Sequence, residues 1–308
     1  MDSTPPRKPA TVICCGQVVL DHTFRVDEVQ APPSKTTARG YNLGIGGMGA
    51  HAAIAVVRLG GRALFWGRVG DDEAGAAQAE ALDAEGVDVT HLRRIPGAHS
   101  ALSAVIVDKM GERAIVTYRG DGLSPDPSWL PLDLLAEAGA VLTDPRWPEG
   151  SHVVLDAAAA IGLPTVLDAE KSEARILRDL VPRVGHAIFA ATGLSVFGGG
   201  APPRESLRRA LASGPLKMVA VTRGEDSTLW MVPGDDKPRE MPAFPVQATN
   251  TTGAGDVFHG AYALAMAEGQ GIEAALRFAS AAGALRARDG ATPDRAMVEA
   301  LIGTLIAA

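Results

Sequence analysis

The clearest candidate for chemistry in this chain is a short stretch, Gly253-Ala254-Gly255-Asp256, in which a nearly bare backbone meets a carboxylate. An apolar pattern of helical period begins at Val257, so we predict that a helix starts here and presents unpaired N–H groups at its N-terminus. Such a terminus attracts anions, phosphate groups among them. A carboxylate beside it can accept the proton of a hydroxyl that attacks phosphorus. The simpler alternative is that Asp256 is only the N-cap of the helix.

Residues 250–260 extend this stretch to Asn-Thr-Thr-Gly-Ala-Gly-Asp-Val-Phe-His-Gly. The sequence resembles the C-terminal signature of the ribokinase-like (PfkB) carbohydrate kinases, Asp-Thr-Thr-Gly-Ala-Gly-Asp-x-Phe-x-x-Gly, with Asn250 where the family usually has Asp. The resemblance implies direct phosphoryl transfer from Mg·ATP to a sugar hydroxyl. It assigns catalysis to Gly253, Ala254, Gly255 and Asp256, the last as general base, and ATP contacts to Thr252, Gly253 and Gly255.

A second loop, Val221-Thr222-Arg223-Gly224, follows a predicted strand and resembles the nucleotide-side loop of the same family, with Ser227 in place of its last Gly. The resemblance assigns ATP phosphate contacts to Thr222 and Gly224, whereas the local alternative is a plain strand-to-hairpin turn. The family's Asn-x-x-Glu motif is not matched by residues 189–194, so no metal-binding residue is predicted. We expect Mg²⁺ to be held by ATP phosphates and water. Asn250 leaves a monovalent-cation site undecided.

Predicted sugar contacts come mainly from the first half of the chain. Asp21 follows the first predicted strand and resembles the family residue that accepts hydrogen bonds from sugar hydroxyls. Gly46 and Gly47 match a Gly-Gly segment that contacts the sugar, and His51 stands where the family often has Asn. We also expect four cations to converge on a substrate anion, because they lie in the lid segments or at a strand end: Lys35, Arg39, Arg119 and Arg146.

Three stretches, residues 111–118, 144–147 and 256–261, look more like the bacterial sulfofructose kinases than like ribokinases. In those kinases a Lys and an Arg at the positions of Lys35 and Arg146 help to hold the sulfonate, and an accompanying Asn appears here as Thr117. We therefore expect a ketose-like sugar with an anionic group, sulfofructose first. Fructose, ribose and ketodeoxygluconate are the alternative substrates.

The elements that must position these residues follow from apolar patterning. Residues 11–15 are almost entirely apolar and predict a buried first strand, and after Pro125 strands and helices alternate, which predicts a mainly parallel sheet covered on both faces. Residues 17–44 and 98–122 show strand and hairpin patterns that predict a small, mostly antiparallel lid. With the resemblance, the predicted fold is α/β, a ribokinase-like three-layer sandwich over residues 11–308 with a β-sheet lid and a flexible tail at residues 1–10. We expect two lids to pair in a homodimer, since exposed sheets tend to be covered.

Composition excludes several function classes. The formal net charge of −7, from 29 basic and 36 acidic residues, argues against a nucleic-acid partner. No apolar window is long enough for a membrane span, and residues 1–10 are polar and Pro-rich, unlike a signal peptide. Cys14 and Cys15 are neighbours on a predicted strand and point to opposite faces, so we expect no bridge between them and a cytoplasmic location.

Two other function classes stay open. Gly44-Ile45-Gly46-Gly47-Met48-Gly49 contains G-x-G-x-x-G, the pattern of NAD(P)-dependent oxidoreductases, but the polar and basic residues before it do not predict the buried strand that this site requires. A non-catalytic sugar or nucleotide sensor would explain the missing Asn-x-x-Glu.

Overall fold

The computed structural model describes residues 9–29 and 35–306. The predicted flexible tail at residues 1–10 therefore lies almost wholly outside the described residues. The strands are β1 (Thr11–Cys15), β2 (Val19–Arg25), β3 (Gly40–Gly46), β4 (Arg62–Gly70), β5 (Leu92–Ile95), β6 (Leu102–Val107), β7 (Arg113–Tyr118), β8 (Ala140–Thr143), β9 (Thr165–Ala169), β10 (His186–Ala190), β11 (Met218–Thr222), β12 (Thr228–Met231) and β13 (Arg239–Met241). The helices are α1 (Met48–Arg58), α2 (Glu73–Ala84), α3 (Pro148–Ala160), α4 (Ala174–Leu180), α5 (Ala191–Gly198), α6 (Pro203–Leu211), α7 (Ala254–Ala267), α8 (Ile272–Asp289) and α9 (Arg295–Ile306).

The central sheet has the strand order β13-β12-β11-β10-β9-β8-β1-β4-β5. From β11 to β5 its strands pair in parallel, and only β12 and β13 at one edge pair antiparallel. The parallel strands are buried because helices cover both faces. Alternation along β1 shows the two faces, since Cys14 packs in one core and Cys15 in the other. The predicted three-layer arrangement and the unbridged cysteines are confirmed.

Helix α7 packs against both α1 and α8 on one face of this sheet through small residues. A Cβ added at Gly260 would lie 2.3 Å from the carbonyl oxygen of Ala52, and one added at Gly283 would lie 3.1 Å from that of Ala254. The two glycines therefore allow α7 to approach α1 and α8 closely. This close packing brings the N-terminal turn of α7 beside side chains from the other two helices.

A second sheet of four strands has the order β3-β2-β6-β7. The hairpin predicted around residues 108–112 is confirmed as the antiparallel pair β6–β7, and only β2 and β6 pair in parallel. The register gives the sheet two chemically different faces. Asp21, Ser103 and Thr117 form a row on one face, and the next row, on the other face, includes Leu43 and Val116. We call this second sheet the lid.

Among the described residues, none of the helices combines the length and the apolar character that a membrane crossing needs.

Candidate active site

The N-terminal turn of α7 opens onto free space. Gly253 precedes the helix in the left-handed region, at φ 74°, and no side chain caps the helix at this end. A Cβ added at Gly255 would meet no atom within 4 Å. Asp256 lies in the first turn, but its carboxylate bonds to His51 rather than to the helix backbone. The N-cap alternative is therefore wrong. The N–H of Ala254 donates to the carbonyl oxygen of Thr251 at 3.2 Å, whereas those of Gly255 and Asp256 make no hydrogen bond to a described residue and lie beside the carboxylate.

His51 is held at both ring nitrogens by protein groups. Its Nδ1 lies 2.9 Å from Oδ2 of Asp256, and its Nε2 lies 2.9 Å from the carbonyl oxygen of Ile45. Burial lowers the pKa of His51, but the hydrogen bond to Asp256 and its negative charge outweigh burial and raise the pKa above its ordinary value. The sequence predicted that His51 would bind a sugar hydroxyl, whereas both of its nitrogens are engaged within the protein.

Asp21 completes a group of ionisable side chains around this space. It comes from β2. Burial and, to a smaller extent, the carboxylate of Asp256 raise its pKa above the ordinary value. A hydrogen bond to Ser103 and the charge of His51 offset part of this rise. A Cβ added at Gly46 would lie 2.3 Å from Oδ2 of Asp21, so a side chain there would displace the Asp21 carboxylate. The structure thus brings several predicted site residues from distant parts of the chain together.

Gly47 joins β3 to α1 at φ 97°, a backbone conformation that glycine adopts without strain. A Cβ at this position would lie 2.4 Å from the carbonyl oxygen of Gln17. Gly46 and Gly47 therefore allow the carboxylate of Asp21 and the carbonyl oxygen of Gln17 to lie close against the backbone that joins β3 to α1.

Two arginines beside α7 were not predicted. Arg286 comes from α8, and a Cβ added at Gly253 would lie 3.6 Å from its Nη2. Its Nη1 is buried and makes no hydrogen bond to any residue that the structure describes. Arg113 comes from the lid strand β7 and donates from Nη2 to Oδ1 of Asn250, at 2.7 Å, and from Nη1 to Thr252. Arg286 belongs to no recognisable motif, and Arg113 lies in the stretch 111–118 without a role that the sequence assigned to it.

Arg119 and Arg146 line one cavity of about 230 Å³ at the carboxyl end of β1. Arg68 and Trp147 line the same cavity, with the guanidinium of Arg68 4.5 Å from the centre of the Trp147 ring. The cavity wall therefore carries three cations. The structure brings Arg119 and Arg146 together at this cavity.

The other two predicted cations do not join them. Arg39 is exposed and forms an ion pair with Asp27 at 2.5 Å, and Lys35 is exposed as well, with neither lining the cavity. Thr117 is exposed on the same lid face as Asp21. The predicted convergence of four cations is therefore wrong. Both displaced cations belong to the segment before β3, whose exposed residues nothing in the sequence orders.

Asp144 has a structural role that the sequence did not reveal. It is buried, and its Oδ2 accepts from the backbone N–H of Gln17 at 2.9 Å and of Gly49 at 3.2 Å, while Oδ1 accepts from that of Arg146 at 2.8 Å. Burial raises the pKa of Asp144 above its ordinary value, and these hydrogen bonds offset only part of that rise. One carboxylate thus ties the ends of β1 and β8 to the first turn of α1.

A buried histidine supports the first turn of α7 from below. Nδ1 of His259 lies 2.7 Å from the carbonyl oxygen of Gly255 and 3.3 Å from Oδ2 of Asp168, and Nε2 lies 3.1 Å from the carbonyl oxygen of Ile188. Burial raises the pKa of Asp168 to about 7, although the imidazole lowers it. The imidazole thereby links the first turn of α7 to β9 and β10.

The predicted nucleotide residues lie at the ends of the strands or in loops. Thr222 ends β11 and its hydroxyl donates to the carbonyl oxygen of Phe189 at 3.4 Å, and Gly224 follows in the left-handed region with open space around it. Thr252 is exposed and receives the bond from Arg113. Within the described residues no three His, Cys, Asp or Glu side chains group closely enough to hold a metal ion.

The pattern described as the pfkB family carbohydrate kinase matches residues 9–294. The chain belongs to this family. The carbohydrate kinase is 31% identical over 267 residues to the ribokinase of Bacillus subtilis (strain 168), covering 83% of this chain and 87% of the relative. It is 28% identical over 308 residues to fructokinase-2 of Solanum habrochaites, covering 92% of each.

Solved structures agree with this membership. One from Agrobacterium tumefaciens is 35% identical, has a TM-score of 0.92, and covers 97% of this carbohydrate kinase and 99% of that chain. The structure of Arabidopsis thaliana ribokinase complexed with ribose and ATP is 26% identical, with a TM-score of 0.81 and coverage of 96% and 99%. The expected closer likeness to sulfofructose kinases finds no support among these relatives.

Family membership also decides against the two other function classes. The glycines at 44–49 are preceded by a strand after all, but β3 is a largely exposed strand of the lid, antiparallel to β2. A dinucleotide site needs a buried strand of the parallel sheet at that point. The oxidoreductase interpretation therefore has no structural basis, and the sensor interpretation gives way to an enzyme of the carbohydrate kinase family.

Proposed function

We propose that this kinase transfers the γ-phosphoryl group of ATP to a hydroxyl of ribose or a closely related sugar, with Asp256 as the general base. The observation that carries the proposal is the position of the Asp256 carboxylate in the first turn of α7, beside the N–H groups of Gly255 and Asp256, which make no hydrogen bond to a described residue. The fold shared with a ribokinase complexed with ribose and ATP supports the choice of substrates.

In the proposed step the sugar hydroxyl gives its proton to Oδ1 of Asp256, the oxygen that His51 does not hold. The hydroxyl oxygen forms a bond to the γ-phosphorus, the bond from that phosphorus to the β,γ-bridging oxygen breaks, and ADP leaves. A positioned base of this kind typically contributes about 10²–10⁴-fold to the rate. The amides of Gly255 and Asp256, with the positive end of the helix dipole, stabilise the charge on the transferring group.

On the sugar side we propose that Asp21 accepts hydrogen bonds from hydroxyls next to the reacting one. Its carboxylate is half-buried and lies against Gly46, so a sugar that contacts it also reaches the backbone at Gly46 and Gly47. Polar groups in this position reject analogues that lack the matching hydroxyl, because the buried carboxylate would be left unpaired.

On the nucleotide side we propose that the α7 amides and Arg286 hold the γ-phosphate and that Thr222, Gly224 and Thr252 contact the remaining phosphates. Nη1 of Arg286 makes no hydrogen bond to a described residue, so this guanidinium can donate to a ligand that carries several anionic oxygens. Mg²⁺ bound with ATP would neutralise phosphate charge. With no cluster of three ligating side chains among the described residues, the available donors fit a cation held mainly by phosphates and water.

The cavity lined by Arg119 and Arg146 favours a second candidate, a sugar acid such as ketodeoxygluconate. Three guanidinium groups line its wall, and a carboxylate is the planar anion that guanidinium binds best. Arg68 already donates to the carbonyl oxygen of Ser124 at 2.6 Å, and the carboxylate of Asp121 lines the same cavity. Ribose has no anionic group for Arg119 and Arg146, whereas a longer sugar acid would pair with them.

The test is an ATP-consumption assay over ribose, fructose, ketodeoxygluconate and nucleosides, with kcat/KM measured for each. We expect ribose to give the highest value if Asp21 and Gly46 define the substrate. Highest activity on ketodeoxygluconate, lost about tenfold in Arg146→Gln, would favour the second candidate. ADP release with none of these compounds would overturn the proposed substrates.

A further inference from the structure

The proposed role of Asp256 as general base implies a further role for His51, and this inference rests on that proposal. We propose that His51 is a positioning residue whose imidazolium, protonated on both nitrogens, holds Oδ2 of Asp256 and leaves Oδ1 free for the sugar hydroxyl. The proposal starts from a count of protons. The carbonyl oxygen of Ile45 can only accept a hydrogen bond, so the Nε2 that lies 2.9 Å from it carries a hydrogen.

A neutral imidazole has one N–H, and in His51 that hydrogen is already used at Nε2. Nδ1 would then be a bare lone pair facing a carboxylate oxygen at 2.9 Å, which repels. A second proton must therefore lie between Nδ1 of His51 and Oδ2 of Asp256. On Asp256 it would leave the base unable to accept another, so turnover requires it on His51 as the imidazolium.

The charged groups around His51 favour this state. Asp256 faces it from α7 and Asp21 from β2, and within the described part of the chain these two carboxylates act against one cation, Arg286 from α8. The negative neighbours outweigh both the guanidinium and the cost of burial, which agrees with the raised pKa of His51. Both members of the pair are four-fifths buried, so salt screens their attraction only weakly.

Loss of this proton has a defined consequence. Above the pKa of His51 the Nδ1 lone pair faces Oδ2, the hydrogen bond is lost, and the carboxylate turns away from the hydroxyl. We expect kcat to fall on the alkaline side with an apparent pKa above 6.5 that belongs to the pair. The family's usual Asn at this position has an amide that donates at any pH and would show no such fall.

The first test is an NMR titration of the histidine side chains in the full chain. We expect ¹⁵N shifts of His51 at neutral pH to show hydrogens on both nitrogens, with a pKa above 6.5 that falls in Asp256→Asn. A His51 that titrates at or below 6.5, or a pKa unchanged by Asp256→Asn, would overturn the proposal. This test needs no His51 variant and no active enzyme, so it also separates the role of His51 from the substrate proposal.

The second test is the pH profile of kcat for three variants. We expect His51→Asn to stay within a few-fold of the wild type at neutral pH and to lack the alkaline fall, and His51→Ala to lose about tenfold at neutral pH. His152→Asn is the control. His152 lies outside the site, where its Nε2 is 2.5 Å from Oδ2 of Asp179. An alkaline fall that persists in His51→Asn would contradict the proposal.

Discussion

Asp256 is the side chain whose loss we expect to cost the most activity. Asp256→Asn keeps the size of the group but removes the base, so kcat falls by about 10²–10⁴-fold while the Kd values of ATP and sugar change only a few-fold. Kinetics and calorimetric binding on the same protein measure the two effects. Asp133→Asn, at an exposed carboxylate outside the site, is the control and retains wild-type kcat. Near-normal kcat in Asp256→Asn would remove the assignment.

Arg286 makes a second residue-level prediction, because its Nη1 has no partner among the described residues while it lies next to Gly253. Arg286→Leu keeps much of the side-chain volume and removes the charge, so we expect KM for ATP to rise about tenfold with KM for sugar nearly unchanged. Arg288→Gln tests the specificity of this effect, since Arg288 is exposed and pairs with Asp289. Equal effects from both substitutions would show that only the general positive charge matters.

At the level of elements, His186 links β10 to α7 through a 2.9 Å contact between its Nδ1 and the hydroxyl of Tyr262. Burial, with a smaller effect of Lys217, lowers the pKa of His186 to about 4. The neutral imidazole stabilises the fold fully above pH 6.5, and the stabilisation is lost as pH falls toward 4, because only the unfolded chain binds the proton. At pH 5 the loss amounts to about 2 kcal/mol.

Urea unfolding at pH 7.5 and pH 5.0 measures this loss. The free energy of unfolding of the wild type should fall by about 2 kcal/mol more between these pH values than that of His186→Gln, which cannot bind the proton. His91→Gln is the control, since His91 is only half-buried. The same pH dependence in the wild type and in His186→Gln would place the acid-labile group elsewhere.

The elements also show why the sequence predicted some of the site and missed the rest. The signature from Asn250 to Gly260 is contiguous, so the apolar pattern predicted the start of α7 and the family resemblance assigned the carboxylate its role. Arg286 and Arg113 come from an Ala-rich helix and a lid strand, and only the packing of α7 against α8 and of the lid over residues 250–252 brings them there. Contacts between elements distant in sequence leave no local pattern.

The same reason explains the error about the four cations. Charge pattern predicted that Lys35, Arg39, Arg119 and Arg146 converge, but a pattern of charges gives no direction to a side chain. Arg119 and Arg146 flank ordered strands and line one cavity, whereas Arg39 pairs locally with Asp27. Parallel-sheet periodicity, in contrast, is repeated in every strand, and the predicted three layers were confirmed.

On the scale of the whole molecule, the two faces of the lid predict a homodimer. The register puts Tyr41, Leu43, Val116 and Tyr118 on the face opposite Asp21, and 71% of Val116 is exposed. An antiparallel sheet with an apolar outer face is covered in most proteins, and a second lid is a complementary cover that leaves the Asp21 face free. We therefore expect the protein to have twice the mass of one chain in light scattering.

The test substitutes one exposed apolar residue at a time. Val116→Asp puts a charge on the outer lid face, on the edge strand β7, and should convert the dimer to a monomer, because a desolvated carboxylate without a partner costs several kcal/mol. Ile161→Asp changes an equally apolar and 56% exposed residue at the end of α3, outside the lid, and should leave the dimer intact. Dissociation by both variants, or a wild type that is already monomeric, would show that the apolar face of the lid has another partner or none.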